Sequence, residues 1–171
     1  MGVQSMIGNI WDRKRGRRHE VGQDRLEQLE RLTQLHLKAE YRYPRKDLVA
    51  LVNCCREAGL GVRLHLSGFA RELPQPVRDA GHEILKEALA NVIKHGDGRA
   101  AVIIGYEPRR LALRVENPVP EGWREARIGR GGLKHMRRCA GLVGGSLSVG
   151  PYTHGWQVSA TLPIKPASWR T

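Results

Sequence analysis

Residues 87 to 95, EALANVIKH, place an acid, an amide and a cation on one side of a predicted helix. At 100° per residue, Asn91 lies about 40° from Glu87, and Lys94 about 20° to its other side. The carboxylate and amide oxygens suit Mg²⁺ or its water shell. The ammonium group of Lys94 can meet a phosphate oxygen. An ordinary amphipathic helix with a solvated polar face is the alternative, and this segment alone does not exclude it.

Three glycines stand before a second predicted helix. Residues 129 to 136 read GRGGLKHM and contain Gly129, Gly131 and Gly132 ahead of a helical apolar pattern. Glycine lets the backbone approach a ligand closely, and a helix N-terminus presents free N–H groups and the positive end of its dipole. The pattern indicates a phosphate cradle, with a plain surface turn as the alternative. The two segments together, about 40 residues apart, favour a site for a metal ion and phosphates.

These motifs resemble those of a known family. The Glu87-x-x-x-Asn91 helix resembles the N box of the Bergerat-fold (GHKL) ATPases, which include DNA gyrase, large heat-shock chaperones, mismatch-repair ATPases and sensor histidine kinases. The segment EALANVIKH is similar to the nitrate-sensor and desaturase-sensor class of histidine kinases. Gly131 to Arg137 resembles the second glycine box of that class, and the segments SLSVG and GWQVSATLP resemble its last strands. The resemblance covers roughly residues 46 to 164.

The resemblance implies ATP and Mg²⁺ as cofactors and the activity of a protein-histidine kinase. It gives Glu87, Asn91 and Lys94 catalytic roles, with Mg²⁺ held by Asn91 and, through water, by Glu87. The ATP-binding residues that it implies are Asn91, Lys94, His95, Asn117, Gly129, Gly131, Gly132 and Leu133. The γ-phosphoryl group would pass to a histidine and then to a response regulator. A non-catalytic GHKL-fold regulatory module that binds a protein partner is the alternative.

The first glycine box of the family is altered in this chain. After the predicted strand LALRVE, Asn117 takes the place of the aspartate that would accept a hydrogen bond from the adenine amino group. Val119 and Glu121 replace two glycines. Asparagine keeps an acceptor oxygen but carries no charge, and losing one charge-assisted contact costs about 1–2 kcal/mol. The substitution therefore predicts weakened, altered or lost nucleotide binding.

The phosphoacceptor histidine is not assigned by the sequence. His19 lies in the basic run DRKRGRRHE, about 28 residues before Asp47. One helix fits in that interval, but an antiparallel helical hairpin hardly does. His36, on the next predicted helix, is an equal candidate, so the acceptor stays unknown.

Composition bounds the partners and the compartment. The chain has 171 residues, with 29 Lys and Arg against 17 Asp and Glu, and a formal net charge of +12. This charge calls for an acidic partner such as nucleotide phosphates, a response regulator or another acidic protein. The basic residues are not interleaved with aromatic ones, so we do not expect a stacking platform for single-stranded nucleic acid. A sequence-independent electrostatic attraction to DNA is the less favoured alternative. The sequence contains no window of 18 apolar residues, so we expect no membrane span. Three cysteines without a Cys-x-x-Cys motif favour reduced thiols and a cytoplasmic location.

The predicted domain organisation has four parts. Residues 1–20 form a basic flexible arm, and residues 21–45 form a helix and connector whose leucine stripe, at residues 22–40, suits a homodimer or another partner helix. Residues 46–165 form the ATPase-like domain, and residues 166–171 form a tail. The expected fold class is α+β: an α/β sandwich of the Bergerat type, with a mixed, mostly antiparallel sheet, helices on one face and an N-terminal helix before it. Residues 117–131 are predicted as one long loop, which the resemblance makes the ATP lid.

Overall fold

A computed structural model describes residues 46–119, 130–153 and 155–164. The predictions for the basic arm, the helix and connector at residues 21–45, and the dimer surface at residues 22–40 lie outside the described residues. So do His19, His36, Gly129, Glu121 and the tail at residues 166–171. None of the helices within the described ranges is both long and apolar enough to cross a membrane.

The described chain alternates helices and strands. The helices are α1 (Leu48–Glu57), α2 (Gln75–His95) and α3 (Arg130–Leu142), and the strands are β1 (Gly61–Gly68), β2 (Arg99–Glu107), β3 (Arg110–Pro118), β4 (Ser146–Tyr152) and β5 (Gly155–Pro163). The strands form one sheet in the order β1-β2-β3-β5-β4. Strands β1 and β2 pair in parallel, and the other three pairings are antiparallel.

The core lies between one face of the sheet and the helices. Alternate residues of the strands are buried toward the helices, among them Val102, Ile104, Leu111 and Leu162, each at 0% exposure. Strands of this kind read as period-two patterns because successive side chains point to opposite faces. Helix α2 lies close to the sheet at Gly81, where a methyl group would lie 3.0 Å from Leu111 Cδ2. The predicted α+β fold, with a mixed, mostly antiparallel sheet, is confirmed.

Local sequence signals set the start of α1 and the end of α2. The Asp47 carboxylate caps α1 by accepting hydrogen bonds from the backbone N–H groups of Val49 and Ala50, at 2.7 and 2.9 Å. Such a cap satisfies donors that the first helical turn leaves free. Helix α2 ends at Gly96, whose N–H donates to the Val92 carbonyl at 2.8 Å.

The predicted loop at residues 117–131 is wrong at both ends. Asn117 and Pro118 belong to β3, because they continue the ladder opposite Trp156 and Gly155. Helix α3 begins at Arg130, so Gly131 and Gly132 lie in its first turn and not in a loop. Glycine is a poor helix former, but burial of Met136 and Ala140, at 0% and 1% exposure, anchors this helix to the core. The packing of these later residues therefore stabilises a helix that includes both glycines.

Candidate functional site

Helix α2 carries the acid, the amide and the cation on its outer side. Leu85, Leu89 and Val92, at 1%, 1% and 0% exposure, pack into the core. On the other side, Glu87 and Asn91 are partly exposed and Lys94 is exposed. This is the division of faces that the helical periodicity predicts. Three buried apolar side chains hold the polar row in a fixed direction.

The first turn of α3 lies against Glu87. A methyl group at Gly132 would overlap the Glu87 Oε1 atom and would come within 2.9 Å of its Cδ. Gly131, one residue earlier, has open space around the same position. Gly132 is therefore a close-contact glycine, and its lack of a side chain lets the carboxylate lie on the helix.

This contact joins the two segments that the sequence predicts to bind a metal ion and phosphates, the helix with Glu87 and the glycine-rich turn. The N–H groups in the first turn of an α-helix have no acceptor within the helix. The amides of Gly131, Gly132 and Leu133 therefore belong to the N-terminal turn of α3, where the helix dipole is positive. The structure places this turn next to Glu87, one helical turn before Asn91. An anionic ligand could meet the amides, while Glu87 and Asn91 offer oxygen atoms to a cation.

Asn117 lies at the other end of α2. Its side chain is buried at 8% exposure, and its Nδ2 donates to the Pro118 carbonyl at 3.1 Å. A methyl group at Gly96 would come within 2.9 Å of Nδ2, so the amide packs on the last turn of the helix. Because the amide nitrogen is engaged, Asn117 presents its oxygen as an acceptor.

Trp156 is a neighbour that sequence reasoning missed. It stands opposite Asn117 in the β3–β5 ladder, and its side chain is buried at 5% exposure. Directly opposite residues of an antiparallel pair point to the same face, with Cβ atoms about 5 Å apart. The signal in the sequence was the alternation of GWQVSATLP, but the residue opposite Trp156 depends on the register with β3.

The candidate site thus runs along α2 from Glu87 to Gly96. These two positions are nine residues apart, which corresponds to about 13 Å at 1.5 Å per residue. Gly132 marks one end and Asn117 the other, with Asn91 between them. Lys94 and His95 occupy the last turn of α2, on the side of Asn117. The structure therefore brings those predicted residues that it describes, which do not include Gly129, to one row.

Glu83, one turn before Glu87, is the centre of a charged cluster that the sequence analysis missed. Its carboxylate lies 2.8 Å from Lys86 Nζ, and 3.7 Å from His135 Nε2 on α3. Lys46 Nζ, just before α1, lies 4.0 Å away, and His82 Nδ1 lies 3.8 Å away. Glu83 therefore connects α2 to the start of α1 and to α3. These contacts support the same helix pair that brings Gly132 to Glu87.

The surroundings of Glu83 favour its charged form. Partial burial acts to raise the pKa of this carboxyl, but the hydrogen bond from Lys86 and the charges of Lys86, His82 and Lys46 outweigh it and hold the pKa below 4.5, its ordinary value. A carboxyl group with a lowered pKa stabilises the fold above its unfolded pKa. That contribution is lost as the pH falls through the folded pKa.

Replacing Glu83 by Gln is expected to lower the free energy of unfolding at pH 7 by about 0.5–1 kcal/mol, the range for partly exposed ion pairs. The difference between the variant and the wild-type protein should disappear as the pH falls well below 4.5. Urea unfolding at pH 7 and at acidic pH measures both values. Glu57→Gln, at the exposed C-terminal end of α1, is the control and should match wild type at both pH values. An equal loss for Glu83→Gln at both pH values would contradict the role of its charge.

The three cysteines are buried thiols, and none of them forms a disulfide. Burial, with the neighbouring Cys54, raises the pKa of Cys55 to about 12. Burial and the charge of Glu83 also raise the pKa of Cys139. Thiols with raised pKa values are poor nucleophiles and poor metal ligands. Within the described ranges no group of His, Cys, Asp and Glu side chains forms a metal cluster, which leaves the oxygen atoms along α2 as the metal-binding chemistry to test.

The fold is similar to that of several solved histidine kinase domains. A nucleotide-free catalytic domain of the histidine kinase ThkA has a TM-score of 0.52 at 12% identity, over 82% of this chain and 96% of that one. The histidine kinase AdeS of Acinetobacter baumannii has a TM-score of 0.51 at 13% identity, over 82% and 77% of the two chains. The histidine kinase domain of the blue-light activated kinase from Erythrobacter litoralis EL346 has a TM-score of 0.50 at 18% identity, over 83% and 78%. The sequence matches no protein-family model and no curated protein. At these identities the likeness shows the fold.

Proposed function

We propose that this chain is the ATP-binding, catalytic-type domain of a sensor histidine kinase of the nitrate-sensor and desaturase-sensor class. The observation that carries the proposal is the contact between Gly132 and Glu87. It joins the turn that resembles a phosphate-binding glycine box to the helix that resembles an N box. The fold shared with histidine kinase catalytic domains supports the same reading.

The base of the nucleotide would lie at the Asn117 end of the row. Adenine offers an exocyclic amino group, which needs an acceptor. Asn117 Oδ1 is such an acceptor, because Nδ2 is held by the Pro118 carbonyl. Trp156 supplies an apolar neighbour on the same face of the sheet. An adenine base therefore suits this end better than guanine, whose O6 atom is an acceptor at the corresponding place.

The phosphates would lie toward Glu87 and the first turn of α3. Asn91 Oδ1 and the Glu87 carboxylate are hard oxygen ligands of the kind that Mg²⁺ or its water shell prefers. Bound Mg²⁺ would supply charge neutralisation at the phosphate oxygens. The amides of Gly131, Gly132 and Leu133, with the amide of Gly129 and the ammonium of Lys94, would bind and orient the phosphates, and His95 would line the nucleotide beside Lys94. Such a site acts through positioning and electrostatics.

The reaction we propose is transfer of the γ-phosphoryl group of ATP to a histidine, followed by relay to a response regulator in the cytoplasm. Glu87 would hold a proton or orient water next to the attacking nucleophile. The resemblance makes His95, the histidine of this row, a nucleotide-binding residue, so the accepting histidine would come from another segment or another chain. The net charge of +12 favours an acidic partner such as a receiver domain.

The test of this proposal is a calorimetric titration of the protein with ATP, with and without Mg²⁺. We expect metal-dependent binding with a dissociation constant in the micromolar range, about −8 kcal/mol. GTP is the matched ligand and should bind at least about tenfold more weakly, because Asn117 presents an acceptor. Absence of binding at millimolar ATP would refute the proposal and would point to a fold that binds a protein partner instead.

Replacing Asn117 by Asp removes the hydrogen bond from Nδ2 to the Pro118 carbonyl, so the side chain must turn from that carbonyl. It is nevertheless expected to tighten ATP binding by about tenfold, or 1.4 kcal/mol, because a carboxylate accepts a stronger hydrogen bond than an amide oxygen. Asn117→Leu keeps the volume but removes the acceptor, and it should weaken binding by a similar factor. Titration of the three proteins with ATP and Mg²⁺ measures the series. Equal affinity in all three would place the base elsewhere.

A further inference from the structure

Strand β1 forms an open edge of the sheet. The order β1-β2-β3-β5-β4 leaves β1 with one neighbour, and six of its eight residues are exposed. An exposed strand edge offers unpaired N–H and C=O groups, and natural proteins usually block such edges. The strand has no proline and no lysine, and within the described ranges no other strand covers it.

The hydrogen bonds between β1 and β2 show which backbone groups of β1 face away from the sheet. The Gly61 N–H donates to the Gly98 carbonyl at 2.9 Å, so the odd-numbered residues of β1 bond to β2. The even-numbered residues then point their backbone groups away from the sheet. The Val62 carbonyl accepts from Arg56 Nε at 3.0 Å, which closes that end of the edge. Leu64 and Leu66 form the open part.

An apolar side chain is held out beside this open part. Phe69 is 94% exposed and Leu66 is 46% exposed. Gly68, at φ +75°, packs so closely on the Tyr106 carbonyl that no side chain fits there. Two residues after Phe69, the Arg71 guanidinium donates to the Glu107 carbonyl and, at 2.7 Å, to the Pro108 carbonyl. Phe69 is thus presented between two fixed points, and an aromatic group presented in this way is a typical interface anchor.

Local charge permits a second copy of the chain at this edge. The exposed cations Lys134, Arg137 and Arg138 lie on α3, which packs by β4 at the opposite end of the sheet. Four strand spacings separate β4 from β1, or about 19 Å, while charges are screened over about 8 Å at physiological salt. The edge itself carries Arg63 and Arg56, whose Nε is bonded to the Val62 carbonyl, and Arg71 is engaged with backbone carbonyls. Among the described residues, the cations of α3 therefore oppose pairing of β1 only weakly.

We propose that β1 pairs antiparallel with β1 of a second copy, around a two-fold axis at His65. In this register Leu64 lies opposite Leu66 of the second copy, and each such pair exchanges both backbone hydrogen bonds through the outward-facing groups. Arg63 lies opposite Ser67, so no two arginines meet. Phe69 follows the paired segment and extends toward Gly61 of the second copy.

This register is the one that the edge itself favours. With the axis at His65, the Val62 carbonyl, which is bonded to Arg56, lies opposite Gly68 at the end of the pairing. Moving the axis one residue toward Gly61, to Leu64, would place Val62 opposite Leu66, inside the pairing, and would bring Arg63 opposite His65. With the axis at His65, the exposed Leu66 side chain is covered by Leu64 of the second copy. The result is a continuous sheet across the two copies, with the helices of both on one face.

The deciding experiment is disulfide cross-linking of His65→Cys in the full chain. Across a non-hydrogen-bonded antiparallel pair the Cα atoms are about 4.5 Å apart, which is within the range of a disulfide. The matched control is Arg63→Cys, equally exposed and on the same face of the strand. Its two copies would lie about 13 Å apart, four residues along the strand, and would not cross-link. The native cysteines are buried, so both variants are read on non-reducing gels after mild oxidation.

A second pair of variants tests the apolar anchor by sedimentation. Phe69→Ser is expected to weaken dimer formation at least tenfold, whereas Leu142→Ser, at a position 75% exposed on α3, should leave it unchanged. Both positions are exposed, so neither substitution should prevent folding. A monomer at about 100 μM wild-type protein would overturn the proposal, because that affinity is too weak for a specific pair. A dimer without faster cross-linking at position 65 than at position 63 would also overturn it, and would point to residues 22–40.

Discussion

Replacing Asn91 by Ala is expected to abolish Mg²⁺-dependent ATP binding, with a loss of affinity of at least about 100-fold, or 2.7 kcal/mol. Asn91 lies between Glu87 and the Asn117 end of the row, where, in the proposed function, its amide oxygen would hold the metal ion beside the phosphates. Its neighbours Leu89 and Val92 are buried at 1% and 0% exposure, so the helix keeps its place when the amide is removed. Calorimetry with ATP and Mg²⁺ measures the change.

Two companion variants separate metal ligation from packing. Asn91→Asp keeps an oxygen ligand and should retain more binding than Asn91→Ala. Asn53→Ala makes the same change at an exposed position of α1 and should leave ATP affinity unchanged. Unchanged ATP affinity in Asn91→Ala, with a normal unfolding transition, would show that Asn91 is not part of the site. It would also contradict the functional assignment that rests on the resemblance.

The sequence predicted the elements of this fold because their signals are local. The apolar positions 85, 89 and 92 repeat with the helical period, and burial of all three confirms that reading. The alternation in GVRLHLSG predicted β1, and the resemblance of GWQVSATLP to the last strand of the family's sheet predicted β5, both at the observed bounds. Period and alternation depend on residues close in the chain, so one sequence suffices to read them.

The arrangement of the site could not be predicted in the same way, because it depends on contacts between residues that are far apart in the sequence. The direction of the Asn117 amide is set by the Pro118 carbonyl and by Gly96, which is 21 residues earlier. Glu83 meets His135 only because α2 and α3 pack together. The first residues of the predicted loop were misplaced for a related reason. The ladder with β5 extends β3 through Pro118, and no local signal marks that extension.

Gly132 provides the sharpest test of that long-range arrangement. Replacing it by Ala puts a methyl group on the Glu87 carboxylate, so either the side chain turns away or the first turn of α3 moves out. Both results separate the groups that would bind the metal and the phosphates. We expect Mg·ATP affinity to fall at least tenfold, or 1.4 kcal/mol, and any phosphoryl transfer to fall further, by about 100-fold, since misplacement of a catalytic group by about 1 Å has that effect.

The control for Gly132→Ala is Gly141→Ala in the same helix. A methyl group at Gly141 meets no atom within 4 Å, so this change should leave ATP binding intact. It should also raise the free energy of unfolding by about 0.5–1 kcal/mol, because alanine is the better helix former. Equal effects of the two variants on ATP binding would show that the contact with Glu87 is only structural. A loss confined to Gly132→Ala would tie the glycine-rich turn and the carboxylate to one ligand, since the two substitutions are chemically identical and differ only in what the added methyl group touches.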